Sequence, residues 1–350
     1  MRERLPTGPA GGGRGPVVAL TGASRGIGLA AARALCAAGY TVVAGARDVR
    51  PLETAGLGGQ LRAVRLDLTD EGSIEQFAAT VGATARGAAR AADRGSEDAA
   101  GAGAARAAAG AAGVGGVGAG AGRAAAGEGG AGGVVEAAAG GGPGGLAAVI
   151  NNAGVGALGA AEEFPLERAR EVFEINLWGA ARLAQLLLPL LRAGAAAERP
   201  AYLVNVGSLI AEYPVPFHAY YAASKGALRA YTLALRGELA GHGVAVVLLE
   251  PGDIATGTTP LQQAAPASAY GGAFERVSAA RAAKMAAAPG PEAVAHRLLR
   301  VLGRRRPPPI VACGGAAPLL RLVRRLLPDR VAEYLTRRAY TPRRGTGSPR

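Results

Sequence analysis

Short apolar runs that alternate with helix-length segments limit what this chain can fold into more than any other feature. The runs are PVVAL (16–20), YTVVAGA (40–46), LRAVRL (61–66), LAAVI (146–150), AYLVNV (201–206), VAVVLLE (244–250) and PIVAC (309–313). Near-continuous apolar strands are typical of a parallel sheet covered on both faces. Helical patterns such as 165–192 and 221–240 separate them. The alternation predicts an α/β fold: a doubly wound, mainly parallel seven-stranded sheet with helices on both faces.

A composition break interrupts this alternation between residues 81 and 145. Of these 65 residues 47 are Ala or Gly, none is aromatic, and the larger aliphatic residues are five valines. Such a segment buries little apolar surface, and its 22 glycines raise the entropy cost of ordering it. We therefore predict a flexible lead over 1–14, a single domain over 15–313 with a low-complexity insertion at 81–145, and a basic C-terminal extension over 314–350.

The formal charge of +13 is confined to the end of the chain. Residues 281–350 hold 16 Arg and Lys against 3 Asp and Glu, whereas residues 1–280 hold 23 of each. The body therefore lacks the basic field that binds nucleic acid, and no nucleic-acid partner is expected. Cys36 and Cys313 lie far apart and predict neither a disulfide framework nor a metal site. The absence of a signal-peptide pattern and of a membrane-spanning run favours a cytoplasmic protein.

The segment APLLRLVRRLLPDR in the extension predicts an amphipathic helix. A helical wheel separates two arcs, one with Leu319, Leu320, Leu322, Val323, Leu326 and Leu327 and the other with Arg321, Arg324 and Arg325. Two interpretations stay open. The leucines pack on the protein's own body or on a second subunit with the arginines in solvent, or the helix lies on an anionic membrane surface.

Two glycine-containing turns follow predicted strands. In ALTGASRGIG, Gly22, Gly26 and Gly28 lie between the first strand and a helix, so backbone amides and the helix N-terminus can receive a pyrophosphate. INNAG, at 150–154, follows the fourth run and has the composition of a polar turn. Both turns occupy the carboxyl end of a strand, where doubly wound sheets bind their ligands.

The segment AYYAASKGAL, at 219–228, contains one of two lysines in a chain with 37 arginines. If the segment is helical, Tyr221 and Lys225 stand on the same face. An ammonium beside a phenol lowers the pKa of that phenol. Because lysine is a compact donor whose pKa responds to its surroundings, whereas arginine is permanently charged, the pair indicates an acid/base site. Surface Tyr and Lys at this spacing are also ordinary, and a solvated helix face is the alternative.

Together these motifs resemble the short-chain dehydrogenase/reductase superfamily. The resemblance rests on TGASRGIG (21–28), NNAG (151–154), EINLWG around Asn176, Ser208 thirteen residues before Tyr221, YAASK (221–225) and EPGDIATG (250–257), in the family's order. It covers roughly residues 15 to 260 apart from the insertion. It implies a Rossmann-type, NAD(P)-dependent oxidoreductase that transfers a hydride between nicotinamide and a carbonyl or secondary alcohol. A catalytically inactive dinucleotide-binding sensor or scaffold of the same fold is the alternative.

The resemblance also implies roles for individual residues. Tyr221 would be the general acid/base, Ser208 would hydrogen-bond the substrate oxygen and Asn176 would hold a water in a proton relay. Lys225 would bind the ribose hydroxyls and favour the phenolate. The implied cofactor contacts are Gly22, Ser24, Arg25, Gly26, Ile27, Gly28, Arg47, Asp67, Asn152, Ala153, Gly154, Tyr221, Lys225, Pro251, Gly252, Ile254 and Thr256.

The end of the second strand indicates which cofactor is preferred. A dinucleotide site that selects NAD places an acid there, whereas the 2′-phosphate of NADP needs a cation. The expected acid position holds Ala46, followed by Arg47, and Arg25 lies in the glycine turn. These residues favour NADP(H). NAD(H) remains the alternative, because a slip of two residues in the alignment would make Asp48 a ribose ligand.

The segment after EPGDIATG, TTPLQQAAPASAYGGAFERVSAARAAKM, occupies the family's variable substrate loop and is rich in small, weakly polar residues. It favours a lipophilic carbonyl or alcohol as the small-molecule substrate. A homo-oligomer and peripheral membrane contact through the C-terminal helix are further partner predictions.

Overall fold

The computed structural model describes residues 15–110, 144–196, 199–257, 261–262, 268–270 and 272–340, and for 92–110 it describes the backbone alone. The predicted lead over 1–14 and residues 111–143 of the predicted insertion lie outside the described residues. In the described part of the chain, no helix combines the length and the apolar character that crossing a membrane requires.

A seven-stranded sheet forms the centre of the molecule, and all of its strands run parallel. Its strands are β1 (Val17–Thr21), β2 (Thr41–Ala46), β3 (Leu61–Arg65), β4 (Ala148–Asn151), β6 (Ala201–Val206), β7 (Val244–Pro251) and β9 (Ile310–Cys313). Two short strands, β5 (Ala157–Leu158) and β8 (Leu261–Gln262), pair with each other outside it. The predicted doubly wound, seven-stranded parallel sheet is confirmed.

Helices cover both faces of this sheet. They are α1 (Gly26–Ala37), α2 (Arg50–Glu53), α3 (Glu71–Gly110), α4 (Leu166–Phe173), α5 (Gly179–Gly194), α6 (Ala219–Glu238), α7 (Ala273–Ala286), α8 (Glu292–Leu302), α9 (Ala317–Arg324) and α10 (Asp329–Tyr340). The helix predicted over 165–192 is divided into α4 and α5 by a π-helical turn, Glu174–Trp178.

The core forms two layers, because the central strands are apolar on both faces. One layer joins the sheet to α1 and α8, through side chains such as Leu35 and Leu298. The other joins it to α3, α5 and α6, through side chains such as Phe77, Leu187 and Leu235. At about 25 cal/mol for each Å² of buried apolar surface, these layers supply the main stabilisation of the fold.

In the strand order β3-β2-β1-β4-β6-β7-β9, the chain adds β2 and β3 on one side of β1 and then β4 and the later strands on the other side. The connections therefore leave the sheet in opposite directions at this point, and a crevice opens at the carboxyl ends of β1 and β4. The glycine turn after β1 and the INNAG turn after β4 both border it.

The predicted start of the insertion at residue 81 is too early. Helix α3 crosses that position without a break, and Val81, Thr84 and Ala85 are buried. Val81 and Ala85 belong to the layer beneath α3 and α5. Their spacing of four residues repeats the spacing of Phe77 and Val81, so the apolar stripe of a packed helix continues into the alanine-rich segment.

One of the interpretations left open for the C-terminal helix, in which its leucines pack on the protein's own body, is contradicted by the structure. Arg321 of α9 is only 12% exposed and pairs with buried carboxylates, whereas Leu322 is 58% exposed. The helix is amphipathic as predicted, but it rests on the body through Arg321 and Arg324, while Arg325 is exposed. Buried acidic partners make this orientation favourable, because a desolvated carboxylate requires a cation nearby.

Candidate functional site

The turn between β1 and α1 brings the backbone close to the end of β4. Gly22 has a φ of 65° and a Cβ there would lie 2.6 Å from the Ala153 Cα, so no other residue fits. A Cβ at Gly28 would lie 2.1 Å from the Gly22 carbonyl oxygen. Ser24 lies in the same turn, and Ile27 packs against the core. The result is a cradle of closely packed backbone at the N-terminus of α1, a type of turn that suits a pyrophosphate.

Thr21, which sequence analysis did not select, joins the two glycine-containing turns. Its hydroxyl oxygen accepts hydrogen bonds from the backbone amides of Asn152, at 3.1 Å, and Ala153, at 3.0 Å. The Asn152 side-chain amide donates in return to the carbonyl oxygens of Thr21 and Gly22, at 2.9 and 3.1 Å. The sequence signal for this role was a threonine directly after the run predicted to form a central strand.

The segment after β7 borders the cradle from the opposite side. Pro251 ends β7, and Gly252 continues into a loop in which Ile254 is buried. A Cβ at Gly26 would lie 3.1 Å from the Cβ of Thr256. Thr256 therefore faces the glycine turn, and the residues predicted to contact a cofactor converge from β1, β4 and β7.

Asn176 lies in the π-helical turn and is 1% exposed. Its side-chain oxygen accepts from the Val155 amide at 2.8 Å, and its nitrogen donates to the Val155 carbonyl oxygen and to the Ser224 hydroxyl, each at 2.9 Å. The π-helical turn aims this side chain at the chain that leaves β4. Asn176 thus connects the end of β4 to α6.

Lys225 is buried in α6, with 4% of its surface exposed. Its ammonium donates to the Val206 carbonyl oxygen at 2.9 Å, and a Cβ at Gly154 would lie 3.2 Å from the Lys225 Nζ. The same Cβ would lie 3.1 Å from the Asn176 Oδ1, so Lys225 and Asn176 approach one point beside Gly154. Burial lowers the pKa of Lys225 to about 8.

The Ser208 side chain lies close enough to the Tyr221 hydroxyl to influence the pKa of that phenol. Ser208 caps a short 3-10 turn, where its oxygen accepts from the Ile210 amide at 3.3 Å. Burial raises the pKa of Tyr221, and the Ser208 side chain and the charge of Arg281 reduce that rise without reversing it. The prediction that Lys225 lowers the pKa of this phenol is therefore wrong for the protein alone, because the cation that acts on Tyr221 is Arg281.

Arg281 reaches this site from α7, in the segment predicted to form the substrate loop. Its guanidinium forms a close ion pair with Asp253, which follows the Pro251-Gly252 pair. It also lies near the Tyr340 hydroxyl of α10, where its charge opposes the rise that burial causes in the pKa of Tyr340. Residues of α7 and of the C-terminal extension thus lie close to Tyr221, and no spacing in the sequence could identify them.

The end of β2 carries the residues that bear on cofactor choice. Ala46 is buried in the last position of β2, and Arg47 and Asp48 are exposed. The Asp48 carboxylate accepts from the Arg50 guanidinium at 2.8 and 2.9 Å. Arg25 is exposed at the start of α1. Arg25 and Arg47 therefore lie at the ends of the elements that border the cradle. The nearby Asp48 carboxylate is paired with Arg50.

Asp67 lies just beyond β3. Its carboxylate accepts from the Thr69 amide at 3.0 Å and from the Thr69 hydroxyl at 2.8 Å. Burial raises the pKa of Asp67, but these hydrogen bonds and the charges of Arg47 and Arg65 outweigh it, so the net pKa lies below its ordinary value. Asp67 is ionised and fixed at the carboxyl edge of the sheet, beside the end of β2.

Known proteins share both this sequence pattern and this fold. The sequence profile of the short chain dehydrogenase family matches residues 16–87 and 133–266. A 1-deoxy-11-beta-hydroxypentalenate dehydrogenase from Streptomyces exfoliatus is 41% identical over 118 residues, which are 33% of this chain and 40% of that protein. An NADPH-dependent 3-dehydrocapnine reductase from Ornithobacterium rhinotracheale is 37% identical over 98 residues, 28% of this chain and 35% of that protein. The chain spans less than half the length of the curated relatives it matches.

Solved structures extend the likeness to nearly the whole chain. The crystal structure of a short-chain dehydrogenase from Streptomyces avermitilis is 26% identical, has a TM-score of 0.63 and covers 95% of this chain and 100% of its own. Structures of the same fold hold NADP in one case and NAD in another. The matched profile covers more than half of the chain and includes the residues that converge on the crevice, so this protein belongs to the short-chain dehydrogenase/reductase family.

Proposed function

We propose that the protein is an NAD(P)-dependent oxidoreductase that interconverts a carbonyl and a secondary alcohol, with Tyr221 as the general acid/base. The observation that carries the proposal is the placement of Tyr221 near Ser208 and one helical turn from the buried Lys225, at the edge of the sheet where the cradle lies. A phenol and an ammonium removed from water in this way are suited to proton transfer.

In this proposal each side chain has one task. The Tyr221 hydroxyl gives its proton to a carbonyl oxygen during reduction and takes it back during oxidation. Ser208 donates a hydrogen bond to the same oxygen. Asn176 holds the loop after β4 in place through Val155, and it supports a proton relay from there.

The nicotinamide cofactor, when bound, supplies the hydride. The cradle at Gly22 and Gly28 suits its pyrophosphate, because the absence of side chains lets the backbone turn tightly between β1 and the N-terminus of α1. Lys225 would donate to its ribose hydroxyls, and Asp67 would contact its adenine. Both assignments place a charged side chain of this protein on the side of the crevice where the cradle lies.

We propose NADP(H) as the preferred cofactor. Arg25 and Arg47 supply cations beside the cradle, and the Asp48 carboxylate is held by Arg50 rather than turned toward it. A guanidinium matches a phosphate in charge and in its fork of donors. One curated relative is named as NADPH-dependent, which agrees with this choice.

Arg47→Asp should weaken NADPH binding about tenfold or more and leave NADH binding the same or stronger. A charge-assisted hydrogen bond contributes about 1.5–3 kcal/mol, and its loss here affects only the cofactor that carries a 2′-phosphate. Fluorescence titration with each cofactor measures both dissociation constants. Arg33→Gln is the control, because Arg33 is an exposed arginine of α1 further from the turn. Equal weakening of both cofactors by Arg47→Asp would assign Arg47 a structural role.

The substrate is proposed to be lipophilic. Phe217 lies four residues before Tyr221, just ahead of α6, and its ring makes edge-to-face contacts with Tyr270 and Phe274 at centroid distances of 5.3 and 5.5 Å. Phe217 has a φ of 63°, a conformation that costs a non-glycine residue on the order of 1 kcal/mol. In this proposal, the strained Phe217 backbone is tolerated because it places an aromatic ring beside Tyr221, where it forms an apolar wall for the substrate.

A panel of ketones, aldehydes and secondary alcohols, assayed with NADPH and NADH, tests the proposed function. We expect turnover with apolar carbonyls and the larger specificity constant with NADPH. Cofactor binding without turnover across the whole panel would favour a dinucleotide-binding sensor or scaffold.

The proposal includes contacts beyond the substrate. It assigns no nucleic-acid partner, because the excess charge lies in residues 281–350 alone. It places the protein in the cytoplasm, as a homo-oligomer whose C-terminal extension contacts a membrane.

A further inference from the structure

The outer surface of α9 and of the turn after it is an exposed ridge of leucines. Leu319, Leu322 and Leu326 are 62%, 58% and 80% exposed, and Leu320 is 41% exposed. Large aliphatic side chains are normally exposed one at a time, not in a continuous row. We call these four residues the leucine ridge.

The inner surface of α9 explains why the ridge faces outward. Arg321 lies 3.5 Å from the Glu250 carboxylate and 3.8 Å from that of Glu212. Arg229 of α6 lies 3.0 Å from the same Glu250, which is fully buried. Turning α9 over to bury its leucines would leave two buried carboxylates with a single cation, which is strongly unfavourable. The ridge therefore cannot pack on the body of this protein.

Helix α10 adds a second apolar strip. Its residues Ala332, Thr336 and Tyr340 are buried at four-residue spacing, and its opposite face exposes Val331, Tyr334 and Leu335. The Arg338 guanidinium donates to the Tyr334 hydroxyl at 3.3 Å. Both C-terminal helices thus rest on the body through one face and present apolar side chains on the other.

Basic residues surround these apolar side chains. Arg325, Arg330 and Arg338 are exposed on or between the two helices. Residues 281–350 carry a net +13, while the remaining 280 residues sum to zero. An apolar strip flanked by arginines is complementary to a surface with anionic headgroups above acyl chains.

A second copy of the chain fits this surface less well. Most homodimers are twofold symmetric, so the same patch would face itself. The arginines beside the leucine ridge would then oppose the arginines of the partner, and like charges brought together at an interface are destabilising.

We infer that the leucine ridge and the apolar strip of α10 dock this protein on an anionic membrane surface. The leucines enter the interfacial region, and the arginines lie at the level of the headgroups. The idea that docking serves catalysis rests on the proposed function, because it assumes a lipophilic substrate. Tyr340 packs from the opposite, buried face of α10 in the same cluster as Tyr221 and Phe217, so the helix that carries the docked strip is itself in contact with the candidate site.

Co-sedimentation of the full chain with vesicles tests this inference. We expect binding to phosphatidylcholine vesicles that contain phosphatidylglycerol, little binding to phosphatidylcholine alone, and weaker binding as salt is raised. The double variant Leu322→Glu, Leu326→Glu should lose about tenfold or more in affinity, because it places charge where the acyl chains would lie. Both positions are exposed, so the fold should tolerate the change.

Leu166→Glu is the matched control, because Leu166 is 56% exposed on α4, in a different region of the surface. It should bind vesicles as the unaltered protein does. Turnover of a water-soluble ketone should be equal in all three proteins, so a failure of docking and a failure of the proposed reaction give different results. Unchanged vesicle binding by the double variant would overturn the inference. A second result would also overturn it: the unaltered protein binds no vesicles and is a dimer, and the double variant is a monomer. That result would assign the ridge to contact with a second copy.

Discussion

Tyr221→Phe should reduce turnover about 10³-fold while the affinity for NADPH changes less than about twofold. General acid/base catalysis contributes about 10²–10⁴ in rate, and the phenol oxygen is the only atom this variant removes. The pyrophosphate cradle is built from the backbone of Gly22 and Gly28 and does not involve the Tyr221 hydroxyl. Single-turnover kinetics and a fluorescence titration measure the two quantities separately.

Tyr220→Phe is the control for this prediction. Tyr220 is the neighbouring residue, and its hydroxyl donates to the Ala161 carbonyl oxygen at 3.0 Å, away from Ser208 and Lys225. It should retain nearly full turnover. If Tyr221→Phe kept activity within tenfold of the unaltered enzyme, Tyr221 would not be the proton donor.

The fold was predictable because burial on both faces leaves a simple record in the sequence. Runs such as AYLVNV at 201–206 contain almost no solvent-facing positions, and that run coincides with β6. The start of the insertion was not predictable in this way. Val81 and Ala85 are core residues, but small side chains contribute little to hydrophobic periodicity, so the alanine-rich composition concealed a packed helix.

The parts of the site that follow strands were also predictable. Gly22, Asn152 and Ser208 each occur shortly after a buried run, and strand ends converge at one edge of a parallel sheet. Arg281 and Tyr340 are different, because they lie on helices α7 and α10 rather than directly after a buried strand, and no motif marks them. The electrostatic surroundings of Tyr221 therefore required the three-dimensional structure.

The C-terminal helix shows a further limit of pattern analysis. Segregation of leucines and arginines establishes that a helix has two faces, but not which of them is buried. That choice depends on Glu250, which lies about seventy residues earlier and is fully buried at the end of β7. Burial raises the pKa of Glu250 to about 7, despite the opposing charges of Arg229 and Arg321. The requirement of this carboxylate for cations turns the leucines outward.

The buried Lys225 should make the protein without its cofactor less stable near neutral pH. Its pKa falls from 10.5 in the unfolded chain to about 8 in the folded protein. Between these values the unfolded state binds more protons, so this lysine makes stability rise with pH from about 8 to 10.5. Below pH 8 its full cost is present, on the order of 3 kcal/mol at 1.36 kcal/mol for each pKa unit.

Lys225→Met should therefore stabilise the cofactor-free protein while reducing turnover about 10³-fold. Removal of the buried charge offsets the loss of the hydrogen bond to the Val206 carbonyl oxygen, which contributes about 1 kcal/mol, and leaves a net gain of about 2 kcal/mol at pH 7. The gain should be about 1 kcal/mol smaller at pH 9, where most of the lysine is already neutral in the folded state. Urea denaturation at both pH values measures it.

Lys284→Met is the matched control, because Lys284 is the other lysine of the chain and lies 4.2 Å from the Tyr340 ring centre, partly exposed. It should bring no gain in stability at either pH. Lys225→Arg should lose both stability and activity, because a larger and permanently charged group would occupy the same buried position. A Lys225→Met protein that is less stable than the original at pH 7 would show that the ammonium stabilises this fold. The presence of Lys225 would then be explained by its contribution to stability, and its burial would no longer support a catalytic role.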